Sequence, residues 1–125
     1  MMYKKKTLEK HKHSLEKNIN KRISTAKISI IIPTLNESQN IKATLASTQI
    51  STNVEVVVVD GGSEDNTVEI VESLGMKVIT GHKNRACLMN AGARNATGDI
   101  LLFLHADTLL PINFDIMVRD ALQQP

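Results

Sequence analysis

The sequence predicts an α/β protein: a parallel sheet whose strands and helices alternate in the order βαβαβαβα, preceded by a basic arm. Three observations predict it. Four short apolar runs, at 28–32, 54–59, 76–80 and 100–104, recur at intervals that leave room for one helix between each pair. Runs rich in Ile and Val, bounded by Gly or Pro, read as strands covered on both faces, which is a property of parallel sheets. The stretches between them carry helical periodicity, and parallel strands need such crossovers.

Residues 1–26 form the arm. Nine Lys/Arg stand against two Glu in 1–27, whereas 28–125 carry six Lys/Arg against eleven Asp/Glu. The arm is basic and the body acidic. Leu8, Leu15, Ile19 and Ile23 fall roughly on one helical face. Four aliphatics bury little area, so a solvated, partly disordered tail is expected. The alternative is a weak amphipathic helix in peripheral contact with an anionic membrane. No aromatics interleave with the lysines, so nucleic acid is not an expected partner.

The body, 27–125, is read as one domain. Its first strand is cut by Pro33. Asn36 can cap the following helix with Gln39 as reciprocal partner, and Ile41, Leu45 and Ala46 are expected inward. Thr52-Asn53 turns the chain into the second strand, which stops at Asp60-Gly61-Gly62. Ser63 or Asp65 can cap a second helix with Val68, Val71 and Leu74 inward, and Gly75 is a left-handed stop. A third, shorter strand precedes a polar loop, 81–85. The third helix, about 86–96, is packed with Ala86, Ala91, Ala93 and Ala96, and Gly98 is expected to end it. The fourth strand reads as buried. Pro111 opens a last helix with an apolar stripe of Phe114, Met117, Val118, Ala121 and Leu122.

The three aromatic residues, Tyr3, Phe103 and Phe114, leave the core to aliphatics. One cysteine, Cys87, excludes an internal disulfide and fits a reducing compartment; it reads as a small buried filler. No apolar run approaches the ~18 residues of a membrane span, and the N-terminus lacks a signal-peptide core. The expected location is the cytoplasm; only the membrane-bound alternative for the arm would place it at the inner face of the membrane.

If the strands are parallel, their carboxyl ends gather on one edge, where open α/β sheets bind ligands. That edge receives Pro33-Thr34-Leu35-Asn36-Glu37, then Asp60-Gly61-Gly62-Ser63, then His82, Asn84 and Arg85, then His105 and Asp107. The chemistry suits a nucleoside diphosphate. Asp60 can accept from a base or a ribose hydroxyl, and Gly61 and Gly62 allow close approach to the backbone. Arg85 can pair with a base carbonyl or a phosphate oxygen. Asp107 is a hard oxygen ligand for Mg2+ or Mn2+, and His105 can bind a hydroxyl or the metal. Each also has a plainer role: Asp60 as a turn or cap residue, Asn36 as a cap, His105-Ala106-Asp107 as a strand-end turn, Arg85 as a surface ion-pair partner. A phosphate loop of the form Gly-x-x-x-x-Gly-Lys-Ser/Thr and a Gly-x-Gly-x-x-Gly after the first strand are both missing. An aspartyl-phosphate phosphatase would need a carboxylate where His105 stands.

Four segments together, 30–37, 58–67, 85–95 and 98–108, resemble the family 2 glycosyltransferases. They read Ile-Ile-Ile-Pro-Thr-Leu-Asn-Glu, Val-Val-Asp-Gly-Gly-Ser-Glu-Asp-Asn-Thr, Arg-Ala through Asn-Ala-Gly-Ala-Arg-Asn, and Gly-Asp leading to His-Ala-Asp-Thr. The resemblance implies the GT-A fold, a Rossmann-like parallel sheet, with this chain as its donor-binding half. It implies a nucleotide-diphosphate sugar as ligand and a divalent metal, Mg2+ or Mn2+, as cofactor. Pro33, Thr34, Asn36, Glu37, Asp60, Gly62, Ser63, Arg85 and His105 become the expected nucleotide-sugar contacts, and Asp107 the metal ligand. In the family an Asp-x-Asp motif holds ribose and metal-bound diphosphate; here it reads His105-Ala106-Asp107, a form found in one branch. Family members continue past this point with an acceptor-binding part and a general-base carboxylate. No residue here maps to that base, so an acceptor-domain chain or a second copy is the expected partner. Two readings follow: a sugar transferase acting on an unknown acceptor, or a non-catalytic nucleotide-sugar-binding module.

Overall fold

The computed structural model describes residues 2–49 and 51–123, with side chains from residue 14 onward. The element order is α1 (Met2–Thr25), β1 (Ile28–Thr34), α2 (Ile41–Thr48), β2 (Val54–Asp60), α3 (Thr67–Ser73), β3 (Val78–Thr80), α4 (Arg85–Asn95), β4 (Ile100–Phe103) and α5 (Phe114–Leu122). All strand pairs are parallel and the sheet runs β3-β2-β1-β4. The fold is the expected α/β arrangement, with helices alternating with the strands of a parallel sheet.

The sheet divides two aliphatic cores. Ile28, Ile30, Ile32, Val58 and Ile100 meet Ile41, Leu45, Val71 and Phe114 on one face. Ile31, Val57 and Val59 meet Leu88 of α4 on the other. Residues alternate across a strand, so a run of isoleucines serves both. Glycine lets α4 approach closely: a Cβ on Gly92 would collide with the Ile31 side chain.

Several expectations yield to packing. Of the two forms expected for the arm, a partly disordered tail or a helix, the structure has the helix. Its last turns lie on the body: Ile23 and Ala26 pack against the larger core, and Gln123 Nε2 donates to the Asn20 carbonyl at 3.4 Å. Leu15 and Ile19 on the same face remain exposed. Among the described residues no helix is long and apolar enough to cross a membrane.

In α2 the buried residues are Ile41, Thr44, Leu45 and Thr48, while Ala46 faces water. Thr44 and Thr48 are tolerated because each hydroxyl donates to a carbonyl, Ala106 at 2.8 Å and Leu45 at 2.6 Å. In α3, Thr67 and Val71 are buried while Leu74 is exposed. β4 was expected to be covered on both faces, yet Leu101 and Phe103 are each over 40% exposed, at 43% and 42%. The cause is reach: α4 packs on β1 and β2, and β4 is the sheet edge. Cys87 is exposed and fills no core.

Only part of the apolar stripe of α5 turns inward: Phe114 is in the larger core and Val118 packs against it. Phe114, Asp115 and Arg119 are buried, while Met117 and Leu122 are exposed. Arg119 takes the inward position, where its guanidinium bonds carbonyls on two neighbouring segments and the Asp115 carboxylate. Its Nε donates to Ala26 O at 3.0 Å, Nη2 to Thr52 O and Asn53 O at 3.3 Å, and Nη1 pairs with Asp115 at 3.4 Å. Deleting residues 1–26 is therefore expected to destabilise the body by about 3 kcal/mol. The deletion removes Ile23 packing and one acceptor of a buried cation. Denaturant melts of the deleted and full chains measure it.

Gly98 does not end α4, which stops at Asn95 with Ala96 already extended. It serves the entry to β4. A Cβ there would sit 2.5 Å from Ser29 Oγ and 2.8 Å from the Lys27 carbonyl. Its N–H donates to Ser29 Oγ at 2.8 Å, and that hydroxyl donates to Glu55 at 2.5 Å.

Candidate functional site

Strand order decides where a ligand can enter. From β1 to β3 the chain steps one way across the sheet, then crosses to place β4 on the far side of β1. The loops after β1 and β4 therefore diverge, and a crevice opens between them at the carboxyl edge. The cleft found there has a volume of about 320 Å³ and is lined by Pro33, Thr34, Leu35, Glu37, Lys83, Arg85, Leu88, His105, Ala106 and Asp107. That size suits a small-molecule pocket.

The wall from β4 is fixed from below. Ala106 is buried, and its carbonyl accepts from Thr44 Oγ1. His105 and Asp107, on either side of Ala106 in the turn after β4, are both exposed. Leu110 N donates to Ser47 Oγ at 3.1 Å, which ties the following segment to α2 as well. Across the cleft, Arg85 opens α4, and its guanidinium contacts the His105 ring nitrogens. Asn84 caps α4 by accepting from Ala86 N at 2.9 Å and Cys87 N at 3.3 Å, so its role is local. His82 is exposed and does not line the cleft.

Asp60 stands one layer behind. It is 4% exposed, at the end of β2, in register with Thr34. Its Oδ2 accepts from Gly62 N at 2.9 Å and Ser63 N at 2.8 Å, and its Oδ1 from Ser63 Oγ at 2.5 Å and Thr34 Oγ1 at 3.2 Å. Three donors from the turn hold the carboxylate, and the Thr34 hydroxyl is shared between it and the Val59 carbonyl at 3.3 Å. Gly62 adopts φ 100, so the turn needs glycine there.

Asn36 caps no helix. It has φ 54; its N–H donates to Ser63 Oγ at 2.9 Å and its Oδ1 accepts from Glu64 N at 2.8 Å. Glu37 N donates to Thr67 Oγ1 at 2.9 Å, and Ser38 N to Asp65 Oδ2 at 3.1 Å. These bonds zip the loop after β1 to the loop after β2. Six sequence-predicted contacts, Pro33, Thr34, Glu37, Arg85, His105 and Asp107, thus share the cleft, while Asn36, Asp60, Gly62 and Ser63 support it from behind. Sequence reasoning passed over Lys83. The signal was its place in the loop after β3, between two residues that were named.

Asp65 anchors the zip, and its carboxyl is pulled down to about 2, first by the Thr67 hydroxyl, against some desolvation, with the N–H groups of Thr67 and Ser38 assisting. Burial alone would raise Glu55, but the Ser29 hydroxyl, the N–H and hydroxyl of Thr97 and the Lys27 charge together hold it below its ordinary value. Folded values below unfolded ones mean stability is whole above about pH 4.5 and drains away as pH falls. For Asp65 that loss runs toward pH 2. Urea midpoints should hold steady down to about pH 4.5 and then fall, and Thr67→Val should flatten that fall.

Among the described residues, no three His, Cys, Asp or Glu side chains cluster as a metal site. Asp107, bonded only to its neighbour Thr108 Oγ1 at 3.3 Å, offers one accessible carboxylate. A hard cation that takes its other ligands from phosphate oxygens and water fits this donor set, whereas zinc with three or four protein ligands does not.

The family model for "Glycosyl transferase family 2" matches residues 29–125. The chain belongs to glycosyl transferase family 2. The match covers only the N-terminal, nucleotide-sugar-binding portion of larger family 2 homologues. The 4,4'-diaponeurosporenoate glycosyltransferase of Staphylococcus haemolyticus is 38% identical over 98 residues, covering 70% of this chain and 26% of that protein. The crystal structure of S. aureus TarS 1-349 in complex with UDP-GlcNAc is 30% identical with a TM-score of 0.64, covering 76% of this chain and 30% of that one. Glucosyl-3-phosphoglycerate synthase from Mycobacterium tuberculosis, crystallised with Mn2+, UDP and glucosyl-3-phosphoglycerate, has a TM-score of 0.63 over 82% of this chain and 40% of its own. At 20% identity that likeness is one of fold. The chain spans between 26% and 36% of the first curated family 2 relatives it matches.

Proposed function

We propose that this chain binds a nucleotide-diphosphate sugar, together with a divalent cation held by Asp107, as the donor half of a family 2 glycosyltransferase. The observation that carries the reading is the cleft at the β1/β4 switch point, whose lining brings together the cations Lys83 and Arg85 and the carboxylate of Asp107. Neither cation is in an ion pair among the described residues, so neither charge is neutralised before an anionic ligand arrives. The resemblance to a structure solved with UDP-GlcNAc at 30% identity supports a UDP-type donor.

In this reading Pro33, Thr34 and Glu37 flank the nucleoside, and Arg85, steadied by His105, faces the phosphates. Asp107 holds the cation against the diphosphate. A bound Mg2+ or Mn2+ would neutralise charge on the departing diphosphate. No side chain in the cleft is assigned as general base, so transfer to an acceptor requires groups supplied from elsewhere. Binding without turnover is thus the activity expected of this chain alone.

Calorimetry with UDP, GDP, dTDP, CDP and ADP, with and without Mn2+, tests this. At least one nucleotide should bind more tightly when Mn2+ is present. If none binds under either condition, the proposal is wrong. Hydrolysis of UDP-GlcNAc above a metal-free control would instead favour the complete transferase.

A further inference from the structure

We infer that Thr44 and Ser47 of α2 are positioning residues for Asp107: they clamp the main chain on both sides of it and so aim its carboxylate at the cation. The inference rests on the donor-binding reading above and deepens it.

Asp107 stands in an open turn. His105, Asp107, Thr108 and Leu109 are all exposed. β4 ends at Phe103, and just beyond it Leu104 N donates to Ile31 O at 2.9 Å. Within the turn Thr108 N donates to the His105 carbonyl at 3.1 Å. Among the described residues, the Asp107 carboxylate bonds only Thr108 Oγ1. A short exposed turn leaves its side chains many poses unless its backbone is pinned.

The pins come from α2, and there are two. Thr44, fully buried, donates from Oγ1 to the Ala106 carbonyl at 2.8 Å, one residue before Asp107. Ser47 Oγ accepts from Leu110 N at 3.1 Å, three residues after it. Thr44 and Ser47 are three apart on the helix, so they share a face. They also join each other: Ser47 Oγ donates to the Thr44 carbonyl at 2.6 Å, which leaves its lone pairs for Leu110 N. One hydroxyl is thus set as donor and the other as acceptor, and the two attachments bracket Asp107-Thr108-Leu109. Helix stability does not call for hydroxyls here, since Ser and Thr are weaker helix formers than Ala.

α2 also fixes a second part of the cleft lining. The loop carrying Pro33, Thr34 and Glu37 runs into it, and the Glu37 carbonyl accepts from Asn40 N at 3.0 Å and Ile41 N at 2.9 Å. One helix therefore sets the spacing between Glu37 and Asp107. A ligand that touches both gains from groups already held in place.

The test compares the full chain with three variants. Thr44→Val keeps the shape and loses the donor, Thr44→Ser restores the donor, and Ser47→Ala removes the second pin. For the tightest binder among UDP, GDP, dTDP, CDP and ADP, calorimetry gives the affinity with Mn2+ and with EDTA, and melting curves report folding. Thr44→Val and Ser47→Ala should each weaken Mn2+-loaded binding about tenfold and change metal-free binding by less than about twofold. Thr44→Ser should bind as wild type does. A structural role alone would lower both affinities together or neither; either result overturns the inference and leaves the donor-binding reading standing. Ser47 is only half-buried, so Ser47→Ala decides the matter if Thr44→Val does not fold. Wild type without Mn2+ dependence, or without nucleotide binding, removes the metal role of Asp107 and this inference together.

Discussion

Asp60→Ala is expected to cost about 3 kcal/mol of stability, which for a domain of this size lowers the melting temperature by about 10 °C. The magnitude follows from what is left behind. Gly62 N, Ser63 N, Ser63 Oγ and Thr34 Oγ1 all donate to this one carboxylate. Asp60 is 4% exposed, so water does not readily replace it. Ser63 Oγ also accepts from Asn36 N, so the loss spreads to the loop after β1. Nucleotide affinity should fall with stability because the loop carrying Pro33 to Glu37 loosens. Asp60→Asn keeps one oxygen and should lie between the two. Melting curves decide it: a variant as stable as wild type would show that the turn holds without its carboxylate.

Asp107→Ala should behave in the opposite way. Asp107 is exposed, and its bond to Thr108 Oγ1 is with a chain neighbour. Removing it should change stability by less than about 0.5 kcal/mol. The Mn2+-dependent part of nucleotide affinity should vanish, leaving the affinity measured without metal. Calorimetry with and without Mn2+, beside a melting curve, separates the two effects. Unchanged metal dependence would remove Asp107 from the metal site.

The difference between these aspartates shows what a sequence can disclose. Both follow an apolar run in the sequence, and both are equally plausible ligands on paper. The Ile and Val runs disclose strands and their common direction, because burial on two faces leaves a compositional mark. From that direction the gathering of Pro33, Arg85, His105 and Asp107 follows. Which side of a turn a carboxylate faces depends on donors distant in sequence, such as Thr34 for Asp60. Arg119 was hidden for a similar reason: the carbonyls it satisfies belong to Ala26, Thr52 and Asn53, and a helical stripe of Met117 and Leu122 offered the simpler choice. Lys83 lies on a loop, where no periodicity marks a residue as facing a site.

The basic side of the cleft hangs on the weakest part of the sheet. β3 has three residues, paired on one side only, with Val78 and Ile79 half-buried and Thr80 exposed. Such a strand frays before its neighbours do. An anion gripped by the residues just beyond it would hold it down, since a ligand favours the closed form. Occupancy of the cleft should therefore register as slowed amide exchange at Val78–Thr80, while β1, already sheltered on both sides, barely responds.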